Sequence, residues 1–312
     1  MSENLMDTLS KGFSHFSKNP ILCAPVLLMY ASIILITFAF VFVLVIVFGA
    51  ALFSSPTAGV PDISGGMVGA LLIALLLFVV VTLIISSYIT AGLTGMCKEV
   101  ETTGKTVLSD MSKYGNKSWF RVLISTVLTG LLSALSIVFL IPAIFELADS
   151  GVTSQMWLDA ANSYAAGNLF AYEQIVTMAM ESAAFSLTGG LLLMLVYLLI
   201  ITFVFYFMTY AIVIDDLSVT AGIKKSWSLL KTNPGTVIWF IIVVIIITGL
   251  ISLIGSFMSN ILASTVILSF VGVLISLILK IVIIVLVTIW TTRKYLILTG
   301  QPLYEEEDLL SY

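Results

Sequence analysis

The chain is short of the residues that most chemistry needs. Of 312 residues, one is a histidine and two are cysteines. His15, Cys23 and Cys97 cannot assemble a zinc or haem site by spacing, so no metal or cofactor is expected. Both cysteines fall at the ends of apolar segments that read as cytoplasmic, which argues against a structural disulfide. No glycine-rich loop leads into a Lys-Ser or Lys-Thr pair, so nucleotide hydrolysis has no support. No acid and base recur at catalytic spacing, and nothing calls for nucleic acid. The expectation is a protein that is not an enzyme. Charged residues make up 10% of the chain, against about 25% in a soluble domain.

In their place stands apolar sequence. Hydrophobic residues account for 60% of the chain, and the mean hydropathy is +1.18. A membrane-spanning helix needs about 20 mostly apolar residues. Six stretches meet that length, at about 21–49, 68–94, 119–145, 185–213, 236–257 and 265–291. The first is far longer than the ~7–15 residues of a signal-peptide core, so it reads as a retained helix.

The links between these stretches differ in charge. Residues 50–67, 146–184 and 258–264 hold no lysine or arginine, whereas the other links and both termini hold eleven of the thirteen basic residues, and a twelfth, Arg121, stands at the start of the third stretch. Cytoplasmic loops collect Lys and Arg. The alternation therefore predicts six spans in the cell membrane with both termini cytoplasmic, including a tail from 293 to 312. The acidic run Glu305, Glu306, Glu307, Asp308 reads as part of a solvated tail. In the outer loop 146–184, Trp157, Ala160, Ala161 and Tyr164 recur at helical spacing, as do Leu169, Tyr172, Ile175, Val176 and Met180. Two short amphipathic helices on the outer surface would explain both sets; a substrate-gating lid is the alternative.

A similar segment precedes each odd-numbered span. Leu9, Phe13, Phe16 and Pro20 correspond to Val107, Met111, Tyr114 and Ser118, and to Ile223, Trp227, Leu230 and Pro234. The spacing makes one apolar face with basic residues between, which predicts three amphipathic helices on the cytoplasmic surface. Asn19-Pro20 and Asn233-Pro234 should end two of them, since proline suits a first turn. Lys11, Lys18, Lys113, Lys224, Lys225 and Lys231 become candidate contacts to anionic lipid headgroups. His15 on the first helix reads as interfacial decoration without a partner. The whole reads as a threefold repeat of amphipathic helix, span, span. Asp215 and Asp216 are expected to cap the third helix, with a contact to Lys224 or Lys225 as the alternative.

The thirteenth basic residue, Lys280, lies inside an apolar run, thirteen residues before Arg293 and hence ~20 Å along a helix. A lysine at a helix centre costs ~2.5–3.5 kcal/mol on insertion scales. Ser269, Gly272, Ser276, Thr288 and Thr291 share its face. Ser125, Thr129 and Ser133 on span three, and Thr248, Ser252 and Ser259 on span five, form matching stripes. Lys280, Ser276, Ser252, Thr248, Ser133 and Thr129 are thus the candidate intramembrane polar site. Three roles are open for the lysine: glue among hydroxyls, counter-charge for an anionic substrate or headgroup, or a proton-coupled switch lacking an acidic partner.

One segment carries a family resemblance. Ile214-Asp215-Asp216-Leu217-Ser218-Val219, followed by Ala221-Gly222-Ile223-Lys224-Lys225-Ser226-Trp227-Ser228-Leu229-Leu230-Lys231, resembles a signature of prokaryotic polytopic proteins. That group includes the membrane domain attached to some glycerophosphodiester phosphodiesterases and related multi-pass families. The resemblance covers residues 195–260 and implies a multi-span membrane domain. It does not bring phosphodiesterase chemistry, because the chain has no soluble segment to hold that catalytic barrel. The expected function is a lipid-engaging or accessory membrane module whose partners are membrane lipids, with a homo-oligomer or another membrane protein as further partners. The alternative is a small-solute or lipid transporter with a central site near Lys280.

Overall fold

The computed structural model describes residues 3–54, 65–149, 154–167, 169–262 and 265–304, and every element among them is helical. Six helical stretches are long and apolar enough to cross a membrane: Pro20–Ile46, Val68–Thr103, Leu108–Glu146, Ala184–Ile214, Pro234–Ile261 and Leu268–Thr299. Their outer faces keep large apolar side chains in the open. Leu35, Phe38 and Phe42 on the first are about two-thirds exposed or more, which a protein in water would avoid. This is a multi-pass membrane architecture. The acidic run 305–308 lies outside the described residues.

The chain forms two compact units, Met1–Thr126 with Tyr206–Tyr312, and Val127–Phe205. The first contains α1 (Leu5–Lys18), α2 (Cys23–Ser54), α3 (Gly65–Thr103), the start of α4 (Leu108–Ala134), α8 (Met208–Ile214), α9 (Val219–Thr232), α10 (Pro234–Ile261) and α11 (Val266–Thr299). The second contains the end of α4, a 3-10 segment Leu135–Leu140, α5 (Ile141–Asp149), α6 (Ser154–Ala165) and α7 (Leu169–Phe205). Within it, the Tyr197 hydroxyl donates to the Leu132 carbonyl at 2.9 Å. Gly190 packs directly on the Phe139 carbonyl, an approach that any Cβ would block.

Asparagine–proline pairs punctuate the first unit as their chemistry demands. Asn19 closes α1 and Pro20 opens a 3-10 turn, while Asn233 closes α9 and Pro234 opens α10. The second expected surface helix has Lys117-Ser118 at that position instead. Nothing there interrupts the backbone hydrogen bonds, so α4 runs unbroken from Leu108 into the span. It is not a separate surface helix. Likewise, of the two short helices expected in the outer loop, α6 stands alone, whereas the second is the first part of α7. No glycine or proline separates Leu169 from the span to stop it.

The faces that pack are not the apolar ones. α1 buries Thr8, Gly12 and His15, with Asn19 following, and leaves Phe13 exposed. α9 buries Gly222, Ser226 and Leu229 and leaves Trp227 half-exposed. Small side chains let these helices approach their neighbours closely. A Cβ at Gly12 would strike the Trp290 ring of α11, whose Nε1 donates to the Leu9 carbonyl at 2.9 Å.

Candidate functional site

Lys280 sits midway along α11 and lines a cavity of about 590 Å³. Tyr30 and Ile34 of α2 form one wall and Ser252, Gly255 and Asn260 of α10 another. Ser276 of α11 lies four residues, or about one turn, before the lysine. Two of the hydroxyls serve packing. Ser276 Oγ donates to the Gly255 carbonyl at 2.8 Å and meets Ser259 Oγ at 2.7 Å. These bonds tie α10 to α11 where Gly255 and Gly272 let the backbones approach. Lys280 is different: it is exposed within the cavity and makes no hydrogen bond or ion pair among the described residues.

The expected polar site is therefore assembled in part. Lys280, Ser276 and Ser252 line one cavity. Thr248 turns back to its own helix and donates to the Val244 carbonyl at 2.7 Å. Thr129 and Ser133 belong to the second unit. Among the lysines proposed for headgroups, Lys11 pairs with Glu3 at 3.3 Å and Lys113 with Glu99 at 3.1 Å. Lys18 is exposed on α1, Lys224 and Lys231 are exposed on α9, and Lys225 is half-buried.

A second constellation was hidden from sequence reasoning. Arg293, expected as a tail charge, lies within α11 and is fully buried. Its Nη1 donates to Glu101 Oε2 at 2.7 Å and its Nη2 to Glu3 Oε1 at 2.8 Å. The other oxygen of Glu101 lies 3.0 Å from His15 Nδ1. His15 is thus a buried member of an ionic network and not surface decoration. Asn19 Nδ2 adds hydrogen bonds to the His15 carbonyl at 3.0 Å and the Gly104 carbonyl at 3.2 Å. The network locks α1 onto α3 and α11. One signal pointed to it: His15 continues the four- and three-residue spacing of Thr8 and Gly12, on the small-residue side of the helix.

The aspartates also differ from expectation. Ser218, not an aspartate, caps α9 by accepting from the Ala221 N–H. Asp215 accepts from the Tyr295 hydroxyl at 2.6 Å and from Gln301 Nε2 at 2.8 Å. Asp216 adopts a left-handed backbone, φ 59°, which aspartate tolerates better than most residues. That bend aims its carboxylate at Lys117, 2.8 Å away, and at Arg121, not at Lys224 or Lys225. Hydrogen bonds from Lys117 and Arg121 hold the Asp216 carboxyl below its ordinary pKa. In the signature segment, Ser226 is buried and its Oγ accepts from the Phe207 N–H at 3.2 Å, where the helix breaks between α7 and α8. Lys98 Nζ donates to the Ile214 carbonyl at the other end of α8.

Together these contacts gather the basic ends of α1, α3, α4 and α11 at one end of the first unit. Among the described residues no group of histidine, cysteine and carboxylates is arranged to hold a metal ion. A family model described as a domain of unknown function, DUF7847, matches residues 4–298, and so runs through all six apolar helices. No curated protein and no solved structure matches the chain.

Proposed function

The chain belongs to the DUF7847 family, and we propose that it engages an anionic amphiphile in the membrane without chemically transforming it. Lys280 is the counter-charge for the ligand's headgroup. The observation that carries this reading is an unpaired lysine, midway along an apolar helix, opening into a cavity of about 590 Å³. A charge midway along a membrane span is retained at a cost of ~2.5–3.5 kcal/mol only where something offsets it. The walls suit the tail of such a ligand, with Ile34, Ile251 and Leu277, and Ser252, Ser256 and Asn260 offer neutral donors in the same cavity.

In this reading the basic end faces the cytoplasm, following the rule for Lys and Arg. The apolar sides of α1 and α9, with Phe13 and Trp227 exposed, lie in the headgroup layer as members of a repeated unit. Lys224 and Lys231 then contact anionic lipids. The likeness to the phosphodiesterase-associated membrane domains belongs to the same proposal, since α9 and its Ser226 contact are what the signature residues build.

Native mass spectrometry of the purified chain tests it. The wild type should carry an anionic lipid or lipid-like molecule, and Lys280→Met should retain at least tenfold less. Equal loading of the two proteins would remove Lys280 from any ligand site.

A further inference from the structure

We propose that the Lys280 cavity is one half of a conduit, and that a second chamber towards the basic end is the other half. The proposal extends the reading of Lys280 as an anion site and uses different residues. The second chamber, about 240 Å³, is lined by Thr90 and Thr94 of α3, Thr209 and Tyr210 of α8, and Thr288 of α11, with Val26 and Met29 of α2 completing it. At ~30 Å³ per water it has room for about eight molecules. Five hydroxyl side chains converge there among spans that are otherwise leucine, isoleucine and valine.

The two cavities follow the same stripes of the same two helices. On α11, Val273, Leu277 and Lys280 line the first, and Ile284 and Thr288 line the second. Successive spacings of four, three, four and four residues put all five on one face. On α2, Ile34 and Tyr30 line the first and Val26 continues the stripe into the second. Lys280 and Thr288 are eight residues apart, ~12 Å along the axis. Tyr30 and Ile283 line the Lys280 cavity while their chain neighbours Met29 and Ile284 line the second, so in this proposal these four residues form the dividing layer.

A cation followed by uncharged hydroxyls is a sequence of sites that attracts an anion and then releases it. Conduction requires binding strong enough to enter and weak enough to leave. Thr288 Oγ1 donates to the Ile284 carbonyl at 2.7 Å, which leaves the hydroxyls of α3 and α8 to donate to an anion, and a methionine in the dividing layer can swing between rotamers at little cost. The cargo is an anionic group, whether carried on a lipid headgroup or as a free anion.

The full chain in liposomes, with Cys23→Ser and Cys97→Ser, tests the layer by thiol labelling with the anionic probe 2-sulfonatoethyl methanethiosulfonate. Added on the side away from the basic end, the probe should modify Ser252→Cys rapidly and Thr288→Cys slowly. Opening the layer with Ile284→Ala should raise the Thr288→Cys rate at least tenfold. Met29→Ala, on the opposite wall, should do the same, so the result does not hang on one variant folding. A smaller rise in whichever folded variants are obtained overturns the conduit, whatever Lys280 binds. In vesicles carrying an opened variant, loss of trapped inorganic phosphate identifies a free anion. Dithionite quenching of inner-leaflet fluorescent phosphatidylglycerol identifies a lipid headgroup. Movement of neither also overturns it. Loss of bound lipid in Lys280→Met with no effect of the layer variants would leave the binding site standing and remove the conduit.

Discussion

Arg293 and Glu101 meet at 2.7 Å, Nη1 to Oε2, with neither side chain reached by solvent. The pair joins the last apolar helix to the second, and through Glu3 and His15 it holds the first helix of the chain. Such a network is costly to break from one side only. Arg293→Met should destabilise the protein by about 3–5 kcal/mol, because it leaves the fully buried Glu101 carboxylate without its guanidinium. Adding Glu3→Gln and Glu101→Leu to that variant should recover much of the loss. Thermal unfolding in detergent measures both. A loss of about 1 kcal/mol or less, typical of an exposed pair, would contradict the burial.

Gly12→Leu should undock α1. The new side chain would occupy the space of the Trp290 ring, and overpacking of this kind costs about 1–3 kcal/mol. Limited proteolysis within residues 5–18 should quicken at least tenfold. An unchanged cleavage rate would mean that the helix was never held there.

Ser226→Ala removes the acceptor for the Phe207 N–H at the α7–α8 break. A buried donor left unpaired costs about 1–3 kcal/mol, whereas Ser228→Ala on the exposed side of α9 should cost almost nothing. Comparing the two melting temperatures separates a specific contact from a general loss of helix stability.

Asp216 supplies a pH dependence with a definite sign. Its folded pKa is lowered by Lys117 and Arg121, so its contribution is fully present above the unfolded value of about 3.9. The contribution disappears as pH falls through the lowered folded value. The stability gap between wild type and Asp216→Asn should therefore be constant above about pH 5 and close in stronger acid. A gap that instead closed between pH 6 and 8 would point to another group.

Lys280→Met should leave thermal stability unchanged or raised while bound anion is lost, since methionine relieves a charge that no neighbour offsets. A large drop in melting temperature would make the lysine a packing element.

Local chemistry was legible in the sequence, and distant pairing was not. Asn19-Pro20 and Asn233-Pro234 announce breaks that need only the backbone of their own residues, and both helices end there. The run of apolar residues gives six spans for the same reason. Lys280 stood out because its neighbours in sequence are the wrong type for a charge. Glu101 and Arg293 gave no such signal: 192 positions separate them, and each sits in a stretch that reads as an ordinary helix end. Apolar periodicity at α1 was silent on the side that packs, Thr8, Gly12 and His15. In a membrane protein the greasy side can face lipid and the small polar side can face protein, so the strongest pattern marks the surface, not the core.

The reach of the Arg293 clamp bears on how the protein is made. Glu3 and Glu101 leave the ribosome 290 and 192 residues before their arginine. At roughly 5–20 residues per second, Glu101 waits about 10–40 s for its counter-charge. Until then the first helix has no lock, and its histidine, lysines and carboxylates must stay hydrated at the membrane surface. Closure of the clamp thus waits for residue 293 to be made. A chain that stops short of residue 293 lacks the guanidinium that its Glu101 carboxylate is built to meet.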